Sequence, residues 1–285
     1  MTGIRVIEGL ASIAEGYDGL LCDAWGVVHD GTRLFAGVTE ALVRFRETRG
    51  PVVILTNAPR LSDVIPAQLD RLGLPREAYD AVVTSGDATA LVARERGAGG
   101  LFRLGPPKDD GLFEAVGAPL VTLDRADAIL CTGLIDDMSE TPDDYRGLLE
   151  GAAARGLPMI CANPDKVVRF GGRLIFCAGA LADLYQDLGG EVIMAGKPHR
   201  PIYELGLAAI READGGATRV LAIGDSVRTD AGGANMMGLD LLFVAGGVSE
   251  ETARGEDGRI DGERVASLLA ADGAHAAFAT ESLRW

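Results

Sequence analysis

Three polar groups in this chain stand directly behind apolar runs. Asp23 follows GLLC, Thr56 and Asn57 follow VVIL, and Asp225 follows VLAIG. In an open parallel sheet, ligands bind beyond the carboxyl ends of the strands, so groups far apart in sequence converge there. Two carboxylates, a hydroxyl and an amide at one sheet edge suit a hard cation together with an oxyanion. Mg²⁺ takes one or two carboxylates and keeps its other positions for water and phosphate oxygens. Lys197, in the Gly196-Lys197-Pro198 turn, offers a compensating point charge. Each residue alone is weak. An Asp or Thr behind a strand is more often a turn former or helix N-cap, and a lone lysine is usually solvated. The ordered set is what argues for chemistry.

The elements that must position these groups are legible as alternating patterns. Gly19–Asp23, Pro51–Thr56, Ala81–Thr84, Val220–Ile223 and Leu241–Val244 are short apolar runs. Between them, Thr39–Thr48 and Pro201–Ala213 place apolar residues at helical spacing, the second with Ile202, Leu205, Ala209 and Ile210 on one face. Apolar strands interleaved with such helices predict an α/β fold, a parallel sheet covered on both faces. The middle differs. Residues 97–111 are rich in Gly and Pro and end in GPPKDDG, and 131–142 reads as an acidic loop. Ala128–Cys131, Pro142–Arg155 and Pro158–Cys161 add further strand and helix signals. The spacing predicts a first core segment at 1–85, an inserted α/β domain at 86–184, and a second core segment at 185–285.

Composition bounds the partners. The chain has 285 residues, with 27 Lys plus Arg against 42 Asp plus Glu, a formal charge of −15. That charge opposes a phosphate backbone, and 5% aromatic residues leave little for base stacking, so no nucleic-acid partner is expected. No basic amphipathic face and no run of about 18 apolar residues is present, so no membrane partner is expected either. Cys22, Cys131, Cys161 and Cys177 lack any C-x-x-C spacing. With no long apolar run in Met1–Ala14, they give the expectation of a cytoplasmic protein. A P-loop, G-x-G-x-x-G, H-E-x-x-H and G-x-S-x-G are all missing, and three histidines make a multi-histidine metal site improbable.

CDAWGVVHDG (22–31), LTNAPR (55–60), GKP (196–198) and IGDSVRTD (223–230) together resemble the haloacid dehalogenase (HAD) superfamily. TSGDATA (84–90) and CANPD (161–165) resemble segments of its class IIA, NagD-like phosphatases. The resemblance runs from about residue 17 to residue 249. It implies a Rossmann-like parallel-sheet core with an inserted α/β cap domain that chooses the substrate, a small phosphorylated metabolite. It makes Asp23 the nucleophile and a Mg²⁺ ligand, and gives the phosphoryl group to Thr56, Asn57 and Lys197. Asp225 completes the metal site, the backbone carbonyl of Trp25 also contacts the metal, and Asp230 supports the site from behind. Such caps sometimes mediate dimers, so a homodimer is open.

One position departs from the family pattern. Its phosphatases read Asp-x-Asp, the second Asp protonating the leaving oxygen; here Trp25 stands there, and indole exchanges no proton near neutral pH. That loss removes a group typically worth roughly 10²–10⁴-fold. His29 and Asp30, in the segment that follows, are the candidates to replace it. Three readings follow, in this order: a slow or narrow phosphatase, a non-catalytic phosphometabolite sensor or partner protein, and a dehalogenase-like hydrolase. The third suffers from the Gly-Asp-x-x-x-Thr-Asp metal element, which dehalogenases do not need. GPPKDDG and NPDKVVRFGGR carry no recognisable ligand signature.

Overall fold

A run such as VVILT, apolar on both faces, belongs in a strand covered on both sides. In the computed structural model Val52–Thr56 is such a strand, buried throughout. The structure describes residues 4–96, 99–170, 173–246 and 250–285. In chain order the strands are β1 (Arg5–Val6), β2 (Gly19–Cys22), β3 (Val52–Thr56), β4 (Ala81–Thr84), β5 (Leu101–Leu104), β6 (Ala128–Cys131) and β7 (Met159–Cys161). They continue as β8 (Val167–Phe170), β9 (Arg173–Phe176), β10 (Val192–Met194), β11 (Val220–Gly224), β12 (Asp240–Val244) and β13 (Phe278–Thr280). Packing divides the chain into two units: residues 1–56, 65–83 and 203–285 form the first, and 57–64 with 84–202 form the second. The segment 86–184 lies within the second.

The first unit is built on a seven-stranded sheet in the order β1-β13-β12-β11-β2-β3-β4. Its pairings from β1 through β3 are all parallel. The helix Val38–Thr48 shows why the faces are covered: Val38, Ala41, Leu42 and Phe45, at positions i, i+3, i+4 and i+7, are its buried residues. The helix Arg200–Ala213 enters this unit at Tyr203. Ile202 and Ile210 are buried as their spacing requires, and Leu205 and Ala209 half-buried.

The second unit carries a four-stranded parallel sheet, β10-β7-β6-β5, and the antiparallel hairpin β8-β9. Strand β6 (AILC) shows the period of two. Ile129 and Cys131 pack with Leu149, Leu181 and Tyr185 on one face, whereas Ala128 and Leu130 pack with Leu112, Phe113 and Ile160 on the other. None of the four cysteines forms a disulfide. Among the described residues no helix is long and apolar enough to cross a membrane.

Two local readings change. Strand β5 lies in the stretch that reads as a Gly- and Pro-rich loop, where LFRL is too short to stand out. The helix expected over 142–155 is split into a 3-10 turn, Pro142–Tyr145, and a helix, Arg146–Ala154. A capping box opens the turn: the Thr141 N–H donates to Asp144 Oδ2 at 2.7 Å.

Candidate active site

Strand register brings the first unit's carboxylates together. Cys22 is opposite Ile54 of β3 on one side and Ile223 of β11 on the other. The Asp23 N–H donates to the Ile223 carbonyl at 2.9 Å. Asp23, Thr56 and Asp225 therefore leave the same edge of three adjacent strands. Asp230 joins them from the helical turn Val227–Ala231, its Oδ2 accepting the Ser226 N–H at 3.1 Å. One oxygen each from Asp23, Asp225 and Asp230 lie within 4.8 Å of one another. The three side chains are 7%, 4% and 4% exposed. Burial penalises ionised carboxylates and like charges raise the cost, so such a cluster calls for a compensating cation. Three carboxylate oxygens are the donor set a hard divalent ion takes. Asp230, expected only as a support, is close enough to be a ligand itself.

The backbone beside Asp23 is shaped to the same point. Gly26 has φ +88°, and a Cβ there would stand 2.2 Å from Asp225 Oδ2. Only glycine lets the Trp25-Gly26 backbone approach that carboxylate so closely. The fit is a cradle that a side chain would fill.

The residues proposed to replace the missing acid are placed otherwise. His29 is buried, its Nδ1 accepting the Gly31 N–H at 3.0 Å, and its ring meets that of Trp25 edge-on at 5.3 Å. Burial pushes its pKa down to about 4, against the opposing pull of the Asp30 carboxylate. Asp30 Oδ1 accepts from the Thr32 hydroxyl at 2.6 Å, the Thr32 N–H at 2.9 Å and the Arg33 N–H at 3.0 Å. These contacts, the Thr32 hydroxyl foremost, hold the carboxyl well below the usual range. Near neutral pH the imidazole is therefore neutral and the carboxylate ionised. Lowered pKa values at both residues disfavour the expectation that His29 or Asp30 donates the missing proton at that pH.

In the second unit, Asn57 and Lys197 form one device. Asn57 Oδ1 accepts the Lys197 N–H at 2.7 Å, while its Nδ2 donates to the Lys197 carbonyl at 3.1 Å and to Asp165 Oδ1 at 3.0 Å. Both ends of the Asn57 amide are thus committed to protein, and the side chain secures the lysine loop. Lys197 is 2% exposed. A Cβ on Gly196 would fall 2.2 Å from Ser85 Oγ, 2.7 Å from Asn57 Oδ1 and 2.8 Å from Pro164 Cδ, which explains the glycine before the lysine. Asp165 was missed as an individual site residue, although its NPD motif was visible; its N–H donates to Asn163 Oδ1 at 3.0 Å, an Asx turn that presents its carboxylate to Asn57.

Comparison with known proteins agrees with this geometry. Residues 20–118 match the haloacid dehalogenase-like hydrolase family, and residues 194–271 match a second, HAD-hydrolase-like family. The chain is 41% identical to a haloacid dehalogenase-like hydrolase from Brucella suis 1330, whose crystal structure matches with a TM-score of 0.87 over 98% of this chain and all of that one. It is 29% identical over 246 residues to D-glycerol 3-phosphate phosphatase from Mycobacterium tuberculosis. That match covers 84% of this chain and 66% of the relative, so the chain spans just under two thirds of that enzyme's length. A structure of glycerol phosphate phosphatase from the same organism, in complex with magnesium, matches at 28% identity and a TM-score of 0.66, over 87% of this chain and 74% of that one. The chain belongs to the haloacid dehalogenase-like hydrolase family, in its class IIA.

Proposed function

We propose that this hydrolase is a Mg²⁺-dependent phosphatase acting on a small phosphorylated metabolite, with residues 86–184 as the cap that selects it. The observation that carries the reading is the convergence of Asp23, Asp225 and Asp230 within 4.8 Å at one sheet edge. Asp23, Asp225 and the Trp25 carbonyl would hold the ion, with Asp230 beside them. When bound, Mg²⁺ offsets the carboxylate charge that would otherwise repel an anionic phosphate. The matched relative is a D-glycerol 3-phosphate phosphatase, which makes polyol phosphates the first compounds to try.

An Asp23 oxygen attacks phosphorus, and the ester P–O bond breaks with its electron pair leaving on the alcohol oxygen. Thr56 and Lys197 orient the phosphoryl group and offset its charge. Water then attacks the phosphorus of the aspartyl phosphate, releasing orthophosphate and regenerating the Asp23 carboxylate. The leaving oxygen takes its proton from water, because Trp25 has none to give. The rate should therefore depend steeply on leaving-group basicity.

A second reading has one observation behind it: the same lack of an acid also suits a protein that binds a phosphometabolite and turns it over negligibly. One panel separates them. Nitrophenyl, acyl and alkyl phosphates and 2-haloacids are assayed with Mg²⁺ and with EDTA, on the native protein and on Asp23→Asn. Mg²⁺-dependent phosphate release, abolished by Asp23→Asn, supports the phosphatase. Metal-dependent retention of a phosphorylated ligand without turnover supports the sensor. Halide release in EDTA would support a dehalogenase and overturn both.

A further inference from the structure

A turn behind β7 carries a carboxylate that the turn itself does not need. Strand β7 pairs with β10, Cys161 opposite Met194, so Asn163-Pro164-Asp165 and Gly196-Lys197 leave the same edge of two adjacent strands. They lie against each other: a Cβ on Gly196 would fall 2.8 Å from Pro164 Cδ. Groups other than the Asp165 side chain close the turn. Asn163 Oδ1 accepts the Asp165 N–H at 3.0 Å. The Asp165 carbonyl accepts the Gly179 N–H at 3.1 Å, in the first turn of the helix Ala178–Asp187. That helix approaches so closely that a Cβ on Gly179 would stand 2.5 Å from the Asp165 carbonyl oxygen. Both backbone polar groups of Asp165 are therefore fixed, and its half-buried side chain is aimed by them.

An aspartate in such a loop is ordinarily a turn former that bonds its own backbone neighbours. Here Oδ1 instead accepts Asn57 Nδ2 at 3.0 Å, from a residue 108 positions earlier. The Asn57 amide has two N–H donors and spends one on the Lys197 carbonyl at 3.1 Å and the other on Asp165. Its oxygen takes the Lys197 N–H at 2.7 Å. Segments around residues 57, 165 and 197, all within the second unit, thus meet on one amide. A hydrogen bond to a carboxylate is roughly twice as strong as a neutral one. Bonds in a chain also polarise one another, so the carboxylate strengthens the grip of the amide on Lys197.

We infer that Asp165 is a positioning residue for phosphoryl binding, holding the Lys197 backbone in place through Asn57. The inference rests on the reading that a phosphorylated substrate binds at Lys197. A lysine on a loosened loop offers the same charge at a less defined place. That charge offsets the phosphoryl group before and during the reaction alike, so its displacement falls on KM more than on kcat.

Hydrogen exchange at the Lys197 amide reads the positioning without any turnover, and calorimetry with inorganic phosphate and Mg²⁺ reads its consequence. Both are run on the native protein, on Asp165→Ala, and on Asp165→Asn, which keeps an acceptor oxygen for Asn57. Asp165→Ala is expected to speed exchange at Lys197 by about tenfold, with exchange in β6 unchanged, and to weaken phosphate binding by about tenfold. Its KM for nitrophenyl phosphate should rise by a similar factor while kcat changes by about threefold or less. Asp165→Asn should stay within about threefold of the native protein in each measurement. A merely structural role would speed exchange in β6 as well and leave KM unchanged, and that pattern overturns the assignment. If Asp165→Ala does not fold, Asn163→Ala takes its place, since it removes the bond that aims the carboxylate but keeps the carboxylate. Unchanged exchange at Lys197 in the folded variant overturns the assignment. So does tighter phosphate binding, which would make the Asp165 carboxylate an occupant of the phosphate's place on Asn57. If exchange responds as expected while the native protein neither binds nor hydrolyses phosphates, the phosphatase reading fails and the hold of Asp165 on the Lys197 loop stands.

Discussion

The side-chain amide of Asn57 pairs with both the N–H and the carbonyl of Lys197, at 2.7 Å and 3.1 Å, across 140 positions of sequence. The pairing copies a peptide group and fixes the loop from which the lysine side chain projects. Asn57→Ala leaves those two buried backbone groups without their partner and should cost about 1–3 kcal/mol of stability. Asn57→Asp loses the donor and sets a second carboxylate against Asp165, 3.0 Å away in the native pairing. It should be at least as damaging at neutral pH and recover on mild acidification. Chemical denaturation reads the stability. Turnover of nitrophenyl phosphate should fall at least tenfold in both variants.

A methyl group at Gly26 should act on the metal before it acts on the fold. The Cβ of Gly26→Ala would press on the Asp225 carboxylate, and the φ of +88° is unfavourable for alanine. The expected cost is about 1–3 kcal/mol in stability, with at least a tenfold weaker Mg²⁺ response. Thermal denaturation across a Mg²⁺ titration separates the two, because an ion bound only by the folded state raises Tm with the logarithm of its concentration over Kd. An unchanged Mg²⁺ response in Gly26→Ala would remove the Trp25-Gly26 backbone from the metal site.

Opposing proton linkages should appear below neutrality. His29 has its pKa lowered from 6.5 to about 4. Between those values the unfolded state binds more protons, so this group contributes stability that is lost as pH falls through the window. Asp109 has its pKa raised from 3.8 to about 6. There the folded state binds more protons, so its contribution is lost as pH rises from about 4 to about 6. Each shift corresponds to about 3 kcal/mol, of opposite sign. The native protein shows the sum of these, with His199, whose pKa burial also lowers, acting in the same sense as His29. His29→Asn, which keeps an acceptor for Gly31, should make stability fall with rising pH, and Asp109→Asn should make it rise. Urea denaturation at half-unit pH steps reads both slopes.

What the sequence revealed depended on the range of the interaction. Asp23 and Asp225 stood out because each follows an apolar strand, and parallel register then dictates that they meet. The short apolar runs AILC and VVILT likewise announced buried strands. Three-dimensional satisfaction was not legible. Nothing at position 57 says that the amide faces Lys197, since its three bonds come from segments more than 100 residues away. Asp109 reads as one acid in a Gly-Pro-Lys-Asp loop and becomes unusual only once its burial is seen. His29 and Asp30 looked equivalent as proton donors in sequence; a two-residue turn, Thr32-Arg33, lowers the pKa of one and burial of the ring lowers that of the other.

Trp25→Asp is the sharpest trial of the catalytic account. The substitution places a carboxyl where the indole now stands and removes an edge-on ring contact with His29, at a cost of about 1 kcal/mol. If proton delivery to the leaving oxygen limits the rate, alkyl phosphate hydrolysis should rise by about 10²-fold, within the range that general acid catalysis supplies. Nitrophenyl phosphate, whose leaving group needs no proton, should gain little. The dependence of rate on leaving-group basicity should flatten accordingly across a series of substituted phenyl and alkyl phosphates. Equal gains on both substrate classes would mean that the indole obstructs the pocket rather than leaving it without an acid. No gain on either, in a protein that still folds and binds Mg²⁺, would mean that proton delivery does not limit the reaction.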